Sequence, residues 1–312
     1  MKEKRVIFMG TPEFSVPVLE MLIENTDVIA VVTQPDKEVG KKGIVFSPIK
    51  EVAIKNNIKV FQPVKVRKEF DDIIALKPDI IVTCAYGQII PTEILECPKY
   101  GCINVHASLL PYLRGGAPIH HAIIDGYSKT GITIMYMDDK MDEGDIISQV
   151  ETIITDDDTT EKLHNRLSIM GRDLLLKTLP SIFDGTNGRT KQDHSLATYG
   201  YNIKREDERI DFNKNRREVF NQVRGLNSWP GAYSLLDEHV LKVWETIIGD
   251  ESNSNVPNGT ILGFNKNGIE VKCADGKIIL KLIQPEGKKK MEASAYLNGL
   301  KNKDELIGKV LV

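Results

Sequence analysis

The feature that most constrains this chain is an alternation of short apolar runs with segments of helical periodicity. Residues 5–9 and 28–33 are apolar runs of strand length, and between them Phe14, Val18, Leu19, Leu22 and Ile23 recur at helical spacing. That is a β-α-β unit. A helix near 49–56, a short strand at 60–61, a helix near 68–76 and a buried-looking strand at 80–84 repeat the pattern. Such alternation predicts a doubly wound α/β domain: a mostly parallel sheet covered on both faces, with ligands bound at the carboxyl ends of its strands. Residues 101–106 read as a further strand. The loop after it, 107–118, holds Pro111, Arg114, Gly115, Gly116 and Pro118, and so falls where such a sheet binds ligands.

Beyond this point residues 131–137 read as a strand and 144–154 as a second extended stretch. Thr159 and Thr160 are placed to cap a long helix presenting Leu163, Leu167, Met170 and Leu174 on one face, and Pro180 is expected to kink or end it before Gly185. Residues 186–205 are polar and read as a linker. After a helix at 216–226, five short strands (232–236, 240–248, 259–264, 268–273 and 277–283) with turn residues between them predict a small β-barrel resembling an OB fold. A length of 312 residues fits two domains, 1–205 including the linker and 206–312.

Composition removes several classes. With 41% hydrophobic and 27% charged residues the chain is neither disordered nor collagen-like. The 4 cysteines include no C-x-x-C, so neither disulfides nor structural zinc is expected. Without an apolar segment of membrane length or a signal-peptide core at the start, a cytoplasmic protein with no membrane partner is expected. The net charge of −3 does not force a nucleic-acid partner.

The chemistry concentrates in Asn104-Val105-His106-Ala107-Ser108-Leu109-Leu110-Pro111, followed by Arg114-Gly115. Side chains two apart on a strand share a face, so Asn104 and His106 can act together. An amide donor suits a developing oxyanion and an imidazole moves protons near neutral pH, a pair fit for transfer at a carbonyl carbon. The plainer alternative is a sheet-end asparagine beside a satisfied core histidine. In 131–147 a strand enters a carboxylate-rich turn closed by Gly144, where one acid can be held against the histidine. For Asp138, Asp139, Glu143 and Asp145 a solvated turn is the favoured reading. The acids lack the D-x-D-x-D-G order of a calcium loop, and there is no H-E-x-x-H for zinc. Gly10-Thr11-Pro12 lacks both nucleotide-loop patterns and reads as a tight turn.

These segments resemble the methionyl-tRNA formyltransferases nearly end to end: Phe8-Met9-Gly10-Thr11-Pro12-Glu13-Phe14, Thr33-Gln34-Pro35-Asp36, Ala85-Tyr86-Gly87, and Asn104 through Gly116. The likeness continues in Asn227-Ser228-Trp229-Pro230-Gly231 and Lys242-Val243-Trp244, motifs characteristic of the tRNA enzymes, whereas other folate-dependent formyltransferases share the N-terminal part. The resemblance implies formyl transfer from 10-formyltetrahydrofolate to initiator methionyl-tRNA for translation initiation, without a metal, by a monomer. By matching motif it implies catalysis by Asn104, His106 and Asp142. It implies a folate pocket lined by Ser108, Leu109, Leu110 and Pro111 and by the backbone around Gln88, Ile89 and Ile90. Lys41 and Lys42 sit in a basic loop that the family uses to reach the tRNA acceptor arm. Lys288, Lys289 and Lys290 could add a basic surface for RNA backbone, and Trp229 and Trp244 could stack on bases or belong to the barrel core. The nearest alternative is an amino-sugar-nucleotide N-formyltransferase reusing the same three catalytic residues. A silent RNA- or folate-binding module is disfavoured by the presence of all three.

Overall fold

The computed structural model describes every residue except Lys41, Lys42 and Asn253, so the two basic-loop lysines lie outside the described residues. The chain separates into two units. The first comprises Met1–Pro118, Lys129–Ile153 and His164–Tyr201, and the second Ile119–Ser128, Ile154–Leu163 and Asn202–Val312.

The first unit opens with β1 (Arg5–Gly10), α1 (Val16–Asn25) and β2 (Asp27–Val32), the β-α-β unit expected from the periodicity. A short ribbon of β3 (Lys37–Glu38) and β4 (Ile44–Val45) leads to α2 (Pro48–Lys55), β5 (Lys59–Phe61), α3 (Asp71–Ile74) and β6 (Ile80–Cys84). Then come α4 (Thr92–Glu96), β7 (Cys102–His106), α5 (Pro118–Ile124), which belongs to the second unit from Ile119 on, β8 (Lys129–Tyr136), β9 (Ile146–Ile153) and α6 (Thr160–Asp184), which belongs to the first unit from His164 on. Seven strands form one sheet in the order β5-β2-β1-β6-β7-β8-β9. Every pair from β5 to β7 is parallel, while β8 and β9 are added antiparallel. The chain winds outward from β1 in both directions, so the strand order reverses between β1 and β6. All five residues of β6 are buried, as a central parallel strand requires. One face of the sheet packs Ile7, Met9, Ala30, Val32, Ile81 and Cys102 against Ile73 of α3 and Ile94 of α4.

Three expectations need correction. The helix near 68–76 is only the four residues of α3. The residues before it form tight turns instead, Lys68 N donating to Lys65 O at 2.8 Å and Glu69 N to Val66 O at 3.4 Å. Helix α6 runs 25 residues and passes through Pro180. Proline removes one hydrogen bond, to the carbonyl of Leu176, while Leu175, Leu179 and Ile182 on either side are buried and hold the helix in place. The third concerns the polar stretch after this helix, which is not a free linker up to Tyr201. Thr190 and Ile146 exchange two backbone hydrogen bonds at 2.8 and 2.9 Å, Arg114 N donates to Thr198 O at 2.9 Å, and Gly200 N donates to Arg114 O at 2.8 Å. These pairings strap the stretch onto the first unit.

In the second unit α7 (Arg216–Gly225) begins with a capping box, the Asn215 side chain and Glu218 each binding the other's backbone N–H. The strands β10 (Ala232–Leu236), β11 (His239–Glu251), β12 (Ile261–Asn265), β13 (Gly268–Cys273) and β14 (Gly276–Pro285) follow, then β15 (Met291–Glu292) and α8 (Ala293–Asn298). Their order is β10-β11-β14-β13-β12, with β15 on β14 and every pairing antiparallel. The last residues bridge the two edges: Val312 and Leu235 exchange backbone bonds at 2.7 and 3.1 Å, and Ile261 N donates to Lys309 O at 2.8 Å. Inside lies a core of Val219, Val223, Val243, Val271, Ile278 and Leu280 among others. No helix among the described residues is long and apolar enough to cross a membrane.

Candidate active site

Asn104 and His106 lie on β7, whose neighbours differ in direction: Thr83 of β6 is the parallel partner of Asn104, and Thr133 of β8 is the antiparallel partner of His106. The Thr83 hydroxyl donates to Asn104 Oδ1 at 2.8 Å. That contact turns the amide nitrogen of Asn104 away from β6, where it can donate to an incoming oxygen. His106 is 5% exposed. Its Nε2 lies 3.0 Å from the carbonyl oxygen of Leu113 and must donate to it, because a carbonyl only accepts. In the neutral ring the lone pair is therefore on Nδ1.

Asp142 faces that nitrogen, its Oδ1 standing 3.7 Å from His106 Nδ1. Its other oxygen, Oδ2, accepts the backbone N–H of Gly115 at 2.8 Å. Asp142 itself has a φ of 56°, a left-handed conformation that costs a non-glycine residue energy and must be held by its surroundings. The turn is closed by Gly144, where a Cβ would stand 1.9 Å from Tyr136 O, so no larger residue fits there.

What holds the turn is a polar cluster beneath it. Arg114 is 1% exposed. Its Nε and Nη2 donate to Gln192 Oε1 at 3.2 and 2.8 Å, Nη1 pairs with Glu143 at 3.2 Å, and Nη2 donates to His194 Nδ1 at 3.1 Å. Gln192 then donates through Nε2 to the backbone oxygens of Asp142 and Gly144 at 2.8 and 2.9 Å. Glu143, read from sequence as a solvated acid, is thus an ion-pair partner of a buried guanidinium. Gln192 was not legible as a site residue, since a glutamine inside a polar stretch carries no distinguishing pattern.

The expected folate-lining residues divide into two groups. Ser108, Leu110 and Pro111 follow β7, and Thr133 fixes their backbone by donating to Ser108 O at 2.7 Å and accepting from Leu110 N at 3.1 Å. Gln149 donates to Leu110 O at 2.9 Å. Leu110 is buried and Leu109 partly so. In the second group Gln88 is engaged by Val66 N, by Gln34 Oε1 at 3.2 Å and by Pro63 O at 3.1 Å, so its side chain braces the loop after β6. Ile90 lies in the core, whereas Ile89 is 63% exposed. A separate cavity of about 470 Å³ is lined by Phe61, Gln62, Pro63, Glu69, Asp71 and Asp72. It contains none of the candidate catalytic groups, and its acidic wall is poorly suited to an anionic ligand.

Burial raises the thiol of Cys84 to about 12 and raises that of Cys102 as well, so both cysteines beside the site stay protonated and are poor nucleophiles. The arrangement offers an amide donor, an imidazole with one engaged and one available nitrogen, and a braced carboxylate. Such a set stabilises an oxyanion and accepts a proton.

The sequence profile of the formyl transferase family matches residues 4–179, and that of the formyl transferase C-terminal domain matches residues 202–301. The methionyl-tRNA formyltransferase of Staphylococcus aureus strain MW2 is 50% identical over 312 residues, covering 99% of each chain. Among solved structures, the N-formyltransferase of Helicobacter canadensis in complex with folinic acid and dTDP-3-aminofucose superposes with a TM-score of 0.66 at 23% identity, covering 91% of this chain and 99% of that one. A sugar 3N-formyl transferase, WlaRD, solved with dTDP and 5-N-formyl-THF, gives a TM-score of 0.66 at 23% identity, with coverage of 93% and 100%. The structural likeness establishes the fold, and half of all residues shared along a full-length relative establishes the branch: the chain belongs to the formyl transferase family and, within it, to the methionyl-tRNA formyltransferases.

Proposed function

We propose that this chain transfers the formyl group of 10-formyltetrahydrofolate to the α-amino group of initiator methionyl-tRNA. The observation that carries the choice of acceptor is the 50% identity over 99% of a methionyl-tRNA formyltransferase. The sugar formyltransferases share the fold at 23% identity, which does not carry their acceptor across.

The geometry supports a direct transfer. The amine nitrogen attacks the formyl carbon, and the carbonyl electrons move onto oxygen. Asn104, its carbonyl anchored by Thr83, donates from Nδ2 to that oxyanion. His106 keeps Nε2 on Leu113 O and takes the amine proton at Nδ1, and the resulting imidazolium is stabilised by the Asp142 carboxylate 3.7 Å away. Collapse of the intermediate breaks the bond to N10 of the folate, which leaves as the proton returns to it. An oxyanion contact from His106 Nε2 requires the ring to give up Leu113, so Asn104 is the principal donor in this arrangement.

The turn of Ser108, Leu109, Leu110 and Pro111 and the main chain of Gln88, Ile89 and Ile90 line the folate, with fixed backbone groups for the pterin edge and apolar side chains for its faces. Residues 1–205 carry the chemistry. Residues 206–312, with Lys288, Lys289 and Lys290, and the loop lysines Lys41 and Lys42 bind the tRNA backbone. The test is formyl transfer from 10-formyltetrahydrofolate to two acceptors, methionyl-tRNA and a dTDP-amino sugar. Preference for methionyl-tRNA is the expected result, and preference for the sugar nucleotide overturns the assignment.

A further inference from the structure

The segment Asn227–Gly231 and the Lys242-Val243-Trp244 motif form one cluster in the second unit. Asn227 Nδ2 donates to Trp244 O at 2.7 Å, and Trp244 Nε1 donates to Gln284 Oε1 at 3.2 Å. Gly231 has a φ of +93°, and a Cβ there would stand 2.6 Å from the Trp244 ring. Trp244 is 6% exposed and therefore belongs to the core. Trp229 does not: it is 39% exposed, with its ring edge-on to His120 at 5.9 Å.

Two ammonium groups gather over the buried neighbour of this indole, Trp244. Lys290 Nζ lies 3.4 Å from the Trp244 ring centroid and Lys242 Nζ 5.4 Å from it. Lys242 also donates to the carbonyl of Pro230, the residue after Trp229, at 3.2 Å. The Lys288 carbonyl accepts from Gln284 at 3.0 Å, which ties the Lys288-Lys289-Lys290 run to the same cluster.

Several other cations of the unit are neutralised. Arg216 pairs with Asp275, Arg217 with Asp156, Lys277 with Glu270, Lys281 with Glu245 and Lys309 with Asp237. Among the described residues no carboxylate pairs with Lys242, Lys288, Lys289 or Lys290. Positive charge without carboxylate partners, tied through the Pro230 carbonyl to the residue next to an exposed indole, suits a ligand that has both phosphate and a flat base.

We propose that Trp229, Lys242 and Lys290 form a docking site for an unpaired nucleotide of the tRNA, with the base stacked on Trp229 and its phosphate held by the two ammonium groups. This rests on the assignment of methionyl-tRNA as acceptor. An acidic peptide would satisfy the lysines but gain little from the indole. A base-paired nucleotide would not present its face.

The test uses the full chain and methionyl-tRNA, with affinity measured across a series of salt concentrations. Trp229→Ala should weaken binding between about fivefold and about a hundredfold, and Trp229→Phe should recover most of the loss. Lys242→Gln combined with Lys290→Gln should reduce the slope of log affinity against log salt by about 1.4, the value for two contacts to single-stranded phosphate. Titration with tRNA should quench wild-type tryptophan fluorescence, while Trp229→Phe, retaining buried Trp244, should stay bright. Unchanged affinity in Trp229→Ala, with a native circular dichroism spectrum and folate affinity, overturns the site. So does competition by polyglutamate equal to that by an RNA of the same charge. A wild-type chain that neither binds nor formylates methionyl-tRNA sinks the parent assignment, whereas wild-type binding with an indifferent Trp229→Ala sinks only this proposal.

Discussion

Replacing Gln192 by alanine tests whether the Asp142 turn is built from below. The side chain is 6% exposed and makes four hydrogen bonds, two accepted from Arg114 and two donated to the backbone oxygens of Asp142 and Gly144. At about 1 kcal/mol for each neutral bond and about 2 kcal/mol for the fork to a charged guanidinium, its removal should cost about 4 kcal/mol, less whatever entering water restores. The catalytic cost is separate. Asp142, at a φ of 56°, loses the group fixing its carbonyl, and a displacement of about 1 Å at a reacting group typically costs about 100-fold. Steady-state formylation should show kcat down by one to two orders of magnitude, with KM for the folate little changed, since the turn proposed to line the folate is braced by Thr133 and Gln149 instead. Gln192→Glu is the sharper variant. It keeps the acceptor for Arg114 but turns a carboxylate oxygen toward two carbonyls, so it should retain part of the stability and little of the rate. Thermal unfolding and kcat both within error of wild type for Gln192→Ala would refute the reasoning.

Single changes Asn104→Ala, His106→Ala and Asp142→Ala should each lower kcat by on the order of 10²–10³, and pairs among them should fall well short of the product of the single effects. Stopped-flow or quench-flow rates decide this, and a near-normal single variant removes that residue from the mechanism. Pro180→Ala should raise the midpoint of thermal unfolding, because α6 already passes through this position and the substitution supplies the missing N–H; a lower midpoint would show that the proline fits a needed bend. Hydrogen bonds from Lys50 and Gln62 hold the Asp36 carboxyl below its usual range, so its stabilising contribution is present above the unfolded carboxylate range and is lost as pH falls through the lower folded value. Asp36→Asn should accordingly flatten the acid limb of a stability–pH curve measured by denaturant titration, and an unchanged limb would contradict it. Lys41→Ala with Lys42→Ala should weaken methionyl-tRNA use and its salt sensitivity while leaving folate affinity intact, and an equal loss of folate binding would assign the loop to the pocket.

The parts of this molecule that could be read from sequence are those whose physics is local. The β-α-β alternation was legible because parallel strands buried on both faces must be nearly continuous apolar runs, as β6 is apart from Thr83, and because amphipathic helices repeat at 3.6 residues. Asn104 and His106 could be placed on one face from the two-residue period alone. Contacts between distant segments left no such trace. Glu143 and Gln192 are 49 residues apart in sequence yet share Arg114, and composition gave opposite impressions of both: a solvated acid in a turn and a polar residue in a linker. Pro180 misled for a related reason, since the rule against proline in helices weighs the lost bond but not the burial of Leu175, Leu179 and Ile182 on either side. The tryptophans show the same limit in reverse. Trp229 and Trp244 are alike by residue type, yet Trp244 is buried with Gly231 and Lys290 against its ring while Trp229 is 39% exposed. Where a functional group depends on a brace from a remote segment, sequence can nominate the group, but the brace becomes visible only once the chain has brought the two together.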